Sequence, residues 1–390
     1  MEFLKRLTHR IRPQKSLKEQ IEQSKSHWSE IVVTDTISIE EEVADNLREF
    51  QRLQSHPAWG CFFKTFGYDT RDFSSSGSLE IGKKLAEGAQ GELFHAKVTW
   101  KNPKSNEIDL EYGRQWVLKV FKKGTLLRHL QSQWPQGMLQ HHAEIQKRSS
   151  LGLSLGLLQT CDVCHGVLLE NGRFAFMMQR EKEDLRSFID RQMKQNMKKG
   201  FGSLAQNDIE YIMSRIAQGV EWLHNRNIVH RDLKASNVLH TRISNDFIVA
   251  DFECSVGVVG TGFWRAPEIL QACKDGVVYA KIELFSKEVD IYSYGMTCYE
   301  VLSGKLPFQE QVVTLDDIIN GKRPEVPEYV EDWIRELLNK CWQSDPIARP
   351  SIGEILEFIL ANSRQAKVVD EAQKKWKLNP ALSPMGAFLQ

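Results

Sequence analysis

IVHRDLKASNVLH, residues 228–240, sets a histidine, an arginine, an aspartate, a lysine and an asparagine between His230 and Asn237. Side chains of these types at these offsets have no packing reason to share a loop, so the run points to chemistry. Further on, FIVADFE ends an apolar strand on Asp251. Next, GTGFWRAPEIL (Gly260 to Leu270) and CWQSDPIARP supply Glu268 and Arg349, which suit a buried ion pair. Asp290, in KEVDIYSYGM, reads as an anchor for the backbone of the first run rather than as a reactant.

Working back toward the N-terminus, LAEGAQGELF from Leu85 to Phe94 places Gly88 and Gly91 at a strand turn. There, backbone amides can approach phosphate oxygens with no Cβ in the way, although an ordinary glycine hairpin has the same texture. Lys119 sits in the apolar strand WVLKVF, where a lone lysine either faces solvent or reaches an anion. A helical glutamate is needed to hold such a lysine on a phosphate, and Glu144 in HHAEIQKRSS is the candidate, a solvated helix face being the alternative.

Phosphoryl transfer requires a cover for the phosphates, a fixed cation, a metal held by carboxylate and amide oxygens, and a carboxylate that orients the attacking hydroxyl. The quoted runs supply all four in that order. Asp232 would take the hydroxyl proton, Lys234 would neutralise charge on the migrating group, and Asn237 and Asp251 would ligate the metal. His230 and Arg231 read as supports, the arginine being suited to a phosphate in the segment after Asp251.

Together these runs resemble the eukaryotic protein kinase family over roughly residues 79–362. The resemblance implies an α+β, two-lobed fold with a small antiparallel sheet lobe and a larger helical lobe. It also implies ATP and Mg2+ in the cleft under Leu85, Gly88, Gly91 and Leu93, with Met177 at the gatekeeper position and a hinge at Met178 to Arg180. The CW and ARP signature looks like the tyrosine-kinase-like group, whereas Lys234 and Thr261 resemble serine/threonine enzymes. Protein serine or threonine hydroxyls are therefore the expected acceptors. A pseudokinase, a scaffold that binds nucleotide without efficient transfer, is the alternative.

The texture along the chain agrees. DIEYIMSRIAQGVEWLH aligns Ile209, Ile212, Ile216, Val220 and Leu223 on one helical stripe. Residues 1–76 read as an amphipathic helical unit carrying Val43, Leu47, Phe50 and Leu53, a surface for a regulatory protein, with SSSGS (Ser74 to Ser78) as the junction. Residues 363–390 read as a tail.

The totals narrow the classes. The chain has 390 residues, 41% hydrophobic and 26% charged, an ordinary globular composition with no apolar run of membrane-spanning length. Lys plus Arg equals Asp plus Glu at 51 each, which removes the bulk electrostatic case for nucleic acid. Seven scattered cysteines suit a reducing compartment, so a cytoplasmic location is expected, with the nucleus or a peripheral membrane contact through the basic start (Lys5 to Lys15) as alternatives. The start lacks a secretory signal core, and Glu2 excludes N-myristoylation. CDVCH (Cys161 to His165) mimics a haem or zinc motif, but it falls where a packed strand is expected.

Two departures stand out. Ala86 replaces the usual first glycine of the phosphate loop, yet keeps its amide. Glu253 follows Phe252 where glycine is usual, and its carboxylate would repel a triphosphate by roughly 4 kcal/mol at about 4 Å unless it rotates into solvent or contacts magnesium. The stretch from Cys254 to Arg265 is short, with Ser255 a candidate for modification, so control through the N-terminal unit is expected.

Overall fold

Ser38 caps the first helix: its hydroxyl accepts from the Glu41 amide while the Glu41 carboxylate accepts from the Ser38 amide, 3.2 and 3.0 Å. This helix, α1 (Ile39–Gln54), opens the described part of a computed structural model, which comprises residues 38–65, 77–88, 90–101, 108–109, 115–139, 163–198, 204–242 and 245–364. Strands β1 (Phe63–Lys64), β2 (Gly77–Glu87), β3 (Gly91–Lys101), β4 (Ile108–Asp109) and β5 (Trp116–Phe121) follow, then a short helix α2 (Leu127–Gln131) and strands β6 (Val163–Leu168) and β7 (Phe174–Gln179). These strands form one sheet ordered β1-β6-β7-β5-β3-β2, with β4 on β3. Pairing is antiparallel except where β1 runs parallel to β6.

Strand alternation splits the small lobe into two cores. On one face Leu79, Ala96, Trp116, Leu118, Val120, Ala175 and Met177 pack together. On the other, Phe121, Phe174 and Phe176 meet Phe50 and Leu53 of α1, Phe62, Phe63, Leu127, Leu130 and Met138. Several aromatic rings there meet edge to face, Phe50 on Phe63 at 5.5 Å and Phe174 on Phe176 at 5.2 Å. Thus α1 is continuous with the sheet lobe rather than set apart from it, which the reading of 1–76 as a separate helical unit did not anticipate. Most of the expected junction at Ser74 to Ser78, like residues 1–37 and the tail from 365, lies outside the described residues.

The large lobe is built from α3 (Leu185–Lys198), α4 (Gln206–His224), α5 (Pro267–Lys274), α6 (Lys287–Ser303), α7 (Leu315–Ile319), α8 (Asp332–Cys341) and α9 (Ile352–Asn362). A small sheet accompanies them, β8 (Glu183–Asp184), β9 (Val238–His240) and β10 (Phe247–Val249). The α4 stripe foreseen in the sequence is buried, Ile209, Ile212, Ile216, Val220 and Leu223 all within one core. Helix α6 is buried from Val289 to Ser303 without interruption, so it forms the axis of the lobe. It ends on Gly304, whose left-handed φ of 70° suits a residue without a Cβ. The architecture is the expected α+β pair of lobes.

Candidate functional site

The loop quoted at the outset is held from below. Asp290 on α6 is fully buried, and its carboxylate accepts from the His230 amide at 2.7 Å, the Arg231 amide at 2.9 Å and His224 Nε2 at 2.9 Å. Burial alone would raise its pKa, but the His224 hydrogen bond and the neighbouring imidazoles hold it below the ordinary aspartate range. These bonds secure Arg231 at a φ of 67°, a left-handed conformation that costs a non-glycine residue about 1–3 kcal/mol. The anchor expected at Asp290 is therefore present in the geometry, as is the Arg349 fork on Glu268, 2.7 and 2.8 Å.

His230, fully buried, links the two reactive segments. Its Nε2 lies 2.8 Å from the Ala250 carbonyl, which only a protonated Nε2 can serve. The other ring nitrogen then accepts from the Asp232 amide at 3.3 Å. The Ala250 amide in turn donates to the Asn237 carbonyl at 2.9 Å. Asp232, Asn237 and Asp251 are thereby tied to one frame.

Around the Asp232 carboxylate the contacts converge. Lys234 Nζ donates to Oδ2 at 2.6 Å, and Thr261 Oγ1 donates to Oδ1 at 2.6 Å. Lys234 also donates to Thr261 Oγ1 at 2.7 Å, closing a triangle that joins the loop to the segment after Asp251. Asn237 Nδ2 donates to the Asp232 carbonyl at 2.8 Å and its Oδ2 at 3.3 Å, which leaves the amide oxygen as the atom that can meet a cation. The Asp232 and Lys234 side chains are 17% and 19% exposed, open enough to be reached and buried enough to be fixed.

Across the cleft, Lys119 on β5 pairs with Asp251 on a carboxylate that is 45% exposed. Burial would lower the lysine's pKa, but the Asp251 charge overcomes it and keeps Lys119 above the ordinary lysine value; the lysine lowers Asp251 in return, against the desolvation that would raise it. Glu144, the expected partner of Lys119, lies outside the described residues. One carboxylate and one amide oxygen are too few to retain a divalent ion alone, and they fit an Mg2+ that arrives on nucleotide phosphates.

The glycine turn covers this pair. Gly88 N donates to the Gly91 carbonyl at 2.8 Å, and Leu93 stands opposite Lys119 in the β3–β5 register, on the same face. A Cβ at Gly91 would lie 2.4 Å from the Val120 carbonyl oxygen, so this position admits only glycine without a shift of β5. Leu85 is 38% exposed at the bulge of β2. Glu92 fixes the turn's outer side, its carboxyl lowered to about 2 by hydrogen bonds from Lys84 and Arg173.

Three sequence readings change. Lys119 is opposite Phe176 and Val117 opposite Met178, whereas Met177 is opposite Leu118. Cross-strand partners share a face, so Met178 is on the lysine's side and Met177 on the other, fully buried beneath the sheet. Met178 rather than Met177 therefore shares the face of Lys119. Glu253 does not swing into solvent: it is 1% exposed, and its charge acts on Lys119 and Cys254. Ser255 is 2% exposed, which removes it as an accessible modification site. In the CDVCH run, His165 is paired across β7 with Met177, and burial lowers its pKa to about 4.

A two-lobed fold with a lysine on the sheet side of a cleft and, facing it, one frame that carries both a carboxylate for a metal and a base-bearing loop defines a phosphotransfer site. Comparison with known proteins agrees: the protein kinase domain matches residues 164–359, half of the chain, and the chain belongs to the protein kinase family. It is 32% identical over 173 residues to the serine/threonine-protein kinase STY17 of Arabidopsis thaliana, covering 42% of this chain and 28% of that protein. A probable serine/threonine-protein kinase of Dictyostelium discoideum is 36% identical over 154 residues, 37% of this chain and 11% of the relative. A light-sensor protein kinase of Ceratodon purpureus is 27% identical over 211 residues, 47% and 16% respectively. The chain thus spans under a third of the length of these relatives. The domain match begins at Cys164, so the glycine turn and Lys119 rest on the sheet geometry. Among the described residues no helix is long and apolar enough to cross a membrane.

Proposed function

We propose that this chain is a serine/threonine protein kinase, moving the γ-phosphoryl group of ATP to serine or threonine hydroxyls of protein substrates, with residues 79–362 as its catalytic domain. The observation that carries this is the triangle of Asp232, Lys234 and Thr261, a carboxylate held at 2.6 Å by a cation and by a hydroxyl from the segment where a protein substrate would lie. Asp232 orients the acceptor hydroxyl and takes its proton, while Lys234 offsets charge on the migrating group. Leu85, Gly88, Gly91 and Leu93 cover the nucleotide, Met178 borders its base, and Lys119, supported by Glu144, holds the phosphates. Asn237 and Asp251 would hold Mg2+, which screens the phosphate charges when bound. The cytoplasm suits this activity, and the N-terminal region, residues 1–76, is a place for a regulatory protein.

The scaffold alternative rests on Glu253, on Ala86, on the short segment from Cys254 to Arg265 and on the N-terminal helical unit. The assembled base triangle favours transfer. Radiolabel transfer from ATP to a generic protein decides: Asp232→Asn should fall by about 10²–10⁴-fold while retaining nucleotide affinity. Equal signals from the variant and the wild type would sink the reading.

A further inference from the structure

Asn46 is a polar residue with no place in the phosphotransfer chemistry, yet it is fully buried in the middle of α1. Its Nδ2 donates to the Gly172 carbonyl at 2.9 Å and the Thr125 carbonyl at 3.3 Å, and its Oδ1 accepts from the Leu127 amide at 2.7 Å. All three are backbone groups at the ends of other elements. Leu127 begins α2, whose own N-cap, Leu126, offers no side-chain bond, so Asn46 caps a helix from a distance. Gly172 is the turn between β6 and β7, at a φ of 74°, and a Cβ there would lie 2.6 Å from Val43 of α1. Glu42 adds a bond from the Gly124 amide at 2.9 Å. One turn of α1 thus closes against both the end of β5 and the hairpin that leads to the hinge.

What α1 grips is attached to the site. Phe121, two residues beyond Lys119, shares the core of Phe50 and Leu53, and the Lys119 ammonium lies 5.8 Å from its ring centroid. Cys254, three residues beyond Asp251, is buried in that same core. The Val256 amide donates to the Gln133 carbonyl just past α2 at 3.1 Å. Both partners of the Lys119–Asp251 pair are therefore followed in the chain by residues seated on the surface that α1 completes.

We infer that α1 is a positioning element of the phosphotransfer site, with Asn46 as its positioning residue: it fixes the ends of β5 and β7 and the start of the segment after Asp251, and so sets the Lys119–Asp251 pair. This rests on the kinase reading for its readout of turnover but not for its readout of binding. A coupling of this kind is reciprocal, so a nucleotide that orders the pair must also steady α1.

The test uses the full chain. In the wild type, Mg·ATP should slow amide hydrogen exchange along α1 as well as around Lys119. Asn46→Ala should lower kcat/KM for ATP by about tenfold, while Arg48→Ala, on the exposed face of the same helix, should change nothing. Exchange along α1 that is indifferent to Mg·ATP overturns the inference, whether or not the Asn46 variant folds. So does an unchanged kcat/KM in a folded Asn46→Ala chain. A wild type that binds Mg·ATP and protects α1 but transfers no phosphate refutes the kinase reading instead and leaves this one standing.

Discussion

In each lobe a fully buried polar residue ties backbone groups together, Asp290 in one and Asn46 in the other, and the two work in different ways. Asp290 in the large lobe carries a charge, accepts from two successive backbone amides and a histidine, and stands inside a single continuous core. Asn46 in the small lobe is neutral, serves two carbonyls and one amide from two separate stretches, and stands on one side of a core that the sheet divides. The large lobe fixes a loop against a rigid helix, as suits a base that must hold its place. The small lobe fixes an assembly of turns and helix ends, each able to give a little, as suits a lobe that must admit a nucleotide.

The largest effect should come from the charged anchor. Asp290→Ala leaves two amides and His224 without their acceptor in the interior, so the chain should lose about 3–5 kcal/mol in denaturant titration, concentrated in the large lobe. A loss confined to the small lobe would break the comparison. Next, Phe50→Ala removes a ring from the small-lobe core and should cost roughly 3 kcal/mol. A tryptophan-fluorescence melt should show the small lobe loosening first while α6 keeps its exchange protection. Gly91→Ala should be milder for stability, about 1–3 kcal/mol, because β5 must move away from the new methyl group. Its signature is a weakened Kd for ATP, and unchanged affinity would show that the turn does not depend on this close approach.

The smallest effect is one of pH. Because Asp290 is held below its ordinary value, its contribution is complete above the unfolded aspartate pKa of about 3.9 and is lost as pH falls through the lower, folded value. The acid limb of stability should therefore flatten in Asp290→Asn. Asn46→Ala should leave that limb's shape unaltered, since an amide does not titrate. A parallel flattening in both would mean that the lobes do not report separately.

Much of this was legible in the chain because it is local. The catalytic loop is a contiguous run, the α4 stripe repeats at the helical period, and Asp290 follows its serine N-cap within one turn. The small lobe resisted for a physical reason: its ties are made between distant residues, and nothing near Asn46 in the sequence says that its amide will meet Gly172 and Leu127. Met177 and Met178 show the same limit in miniature. One residue of slip along a strand reverses the face, and only the register with Lys119 fixes it. For α1, the capping pair Ser38 and Glu41 and the neighbouring aromatics Phe62 and Phe63 were the available hints of a helix delivered onto a core.

The bond from Asn46 to Gly172 joins residues 126 positions apart, and the parallel pairing of Phe63 with Gly166 spans a similar stretch. On a ribosome adding about 5–20 residues per second, α1 would emerge and wait roughly 6–25 s before its partner exists. During that interval Phe50 and Leu53 have Phe63 to pack on but not Phe174 and Phe176 of β7. A helix made before its partners is thus seated late, so nascent chains should be vulnerable to chaperone capture and aggregation through α1.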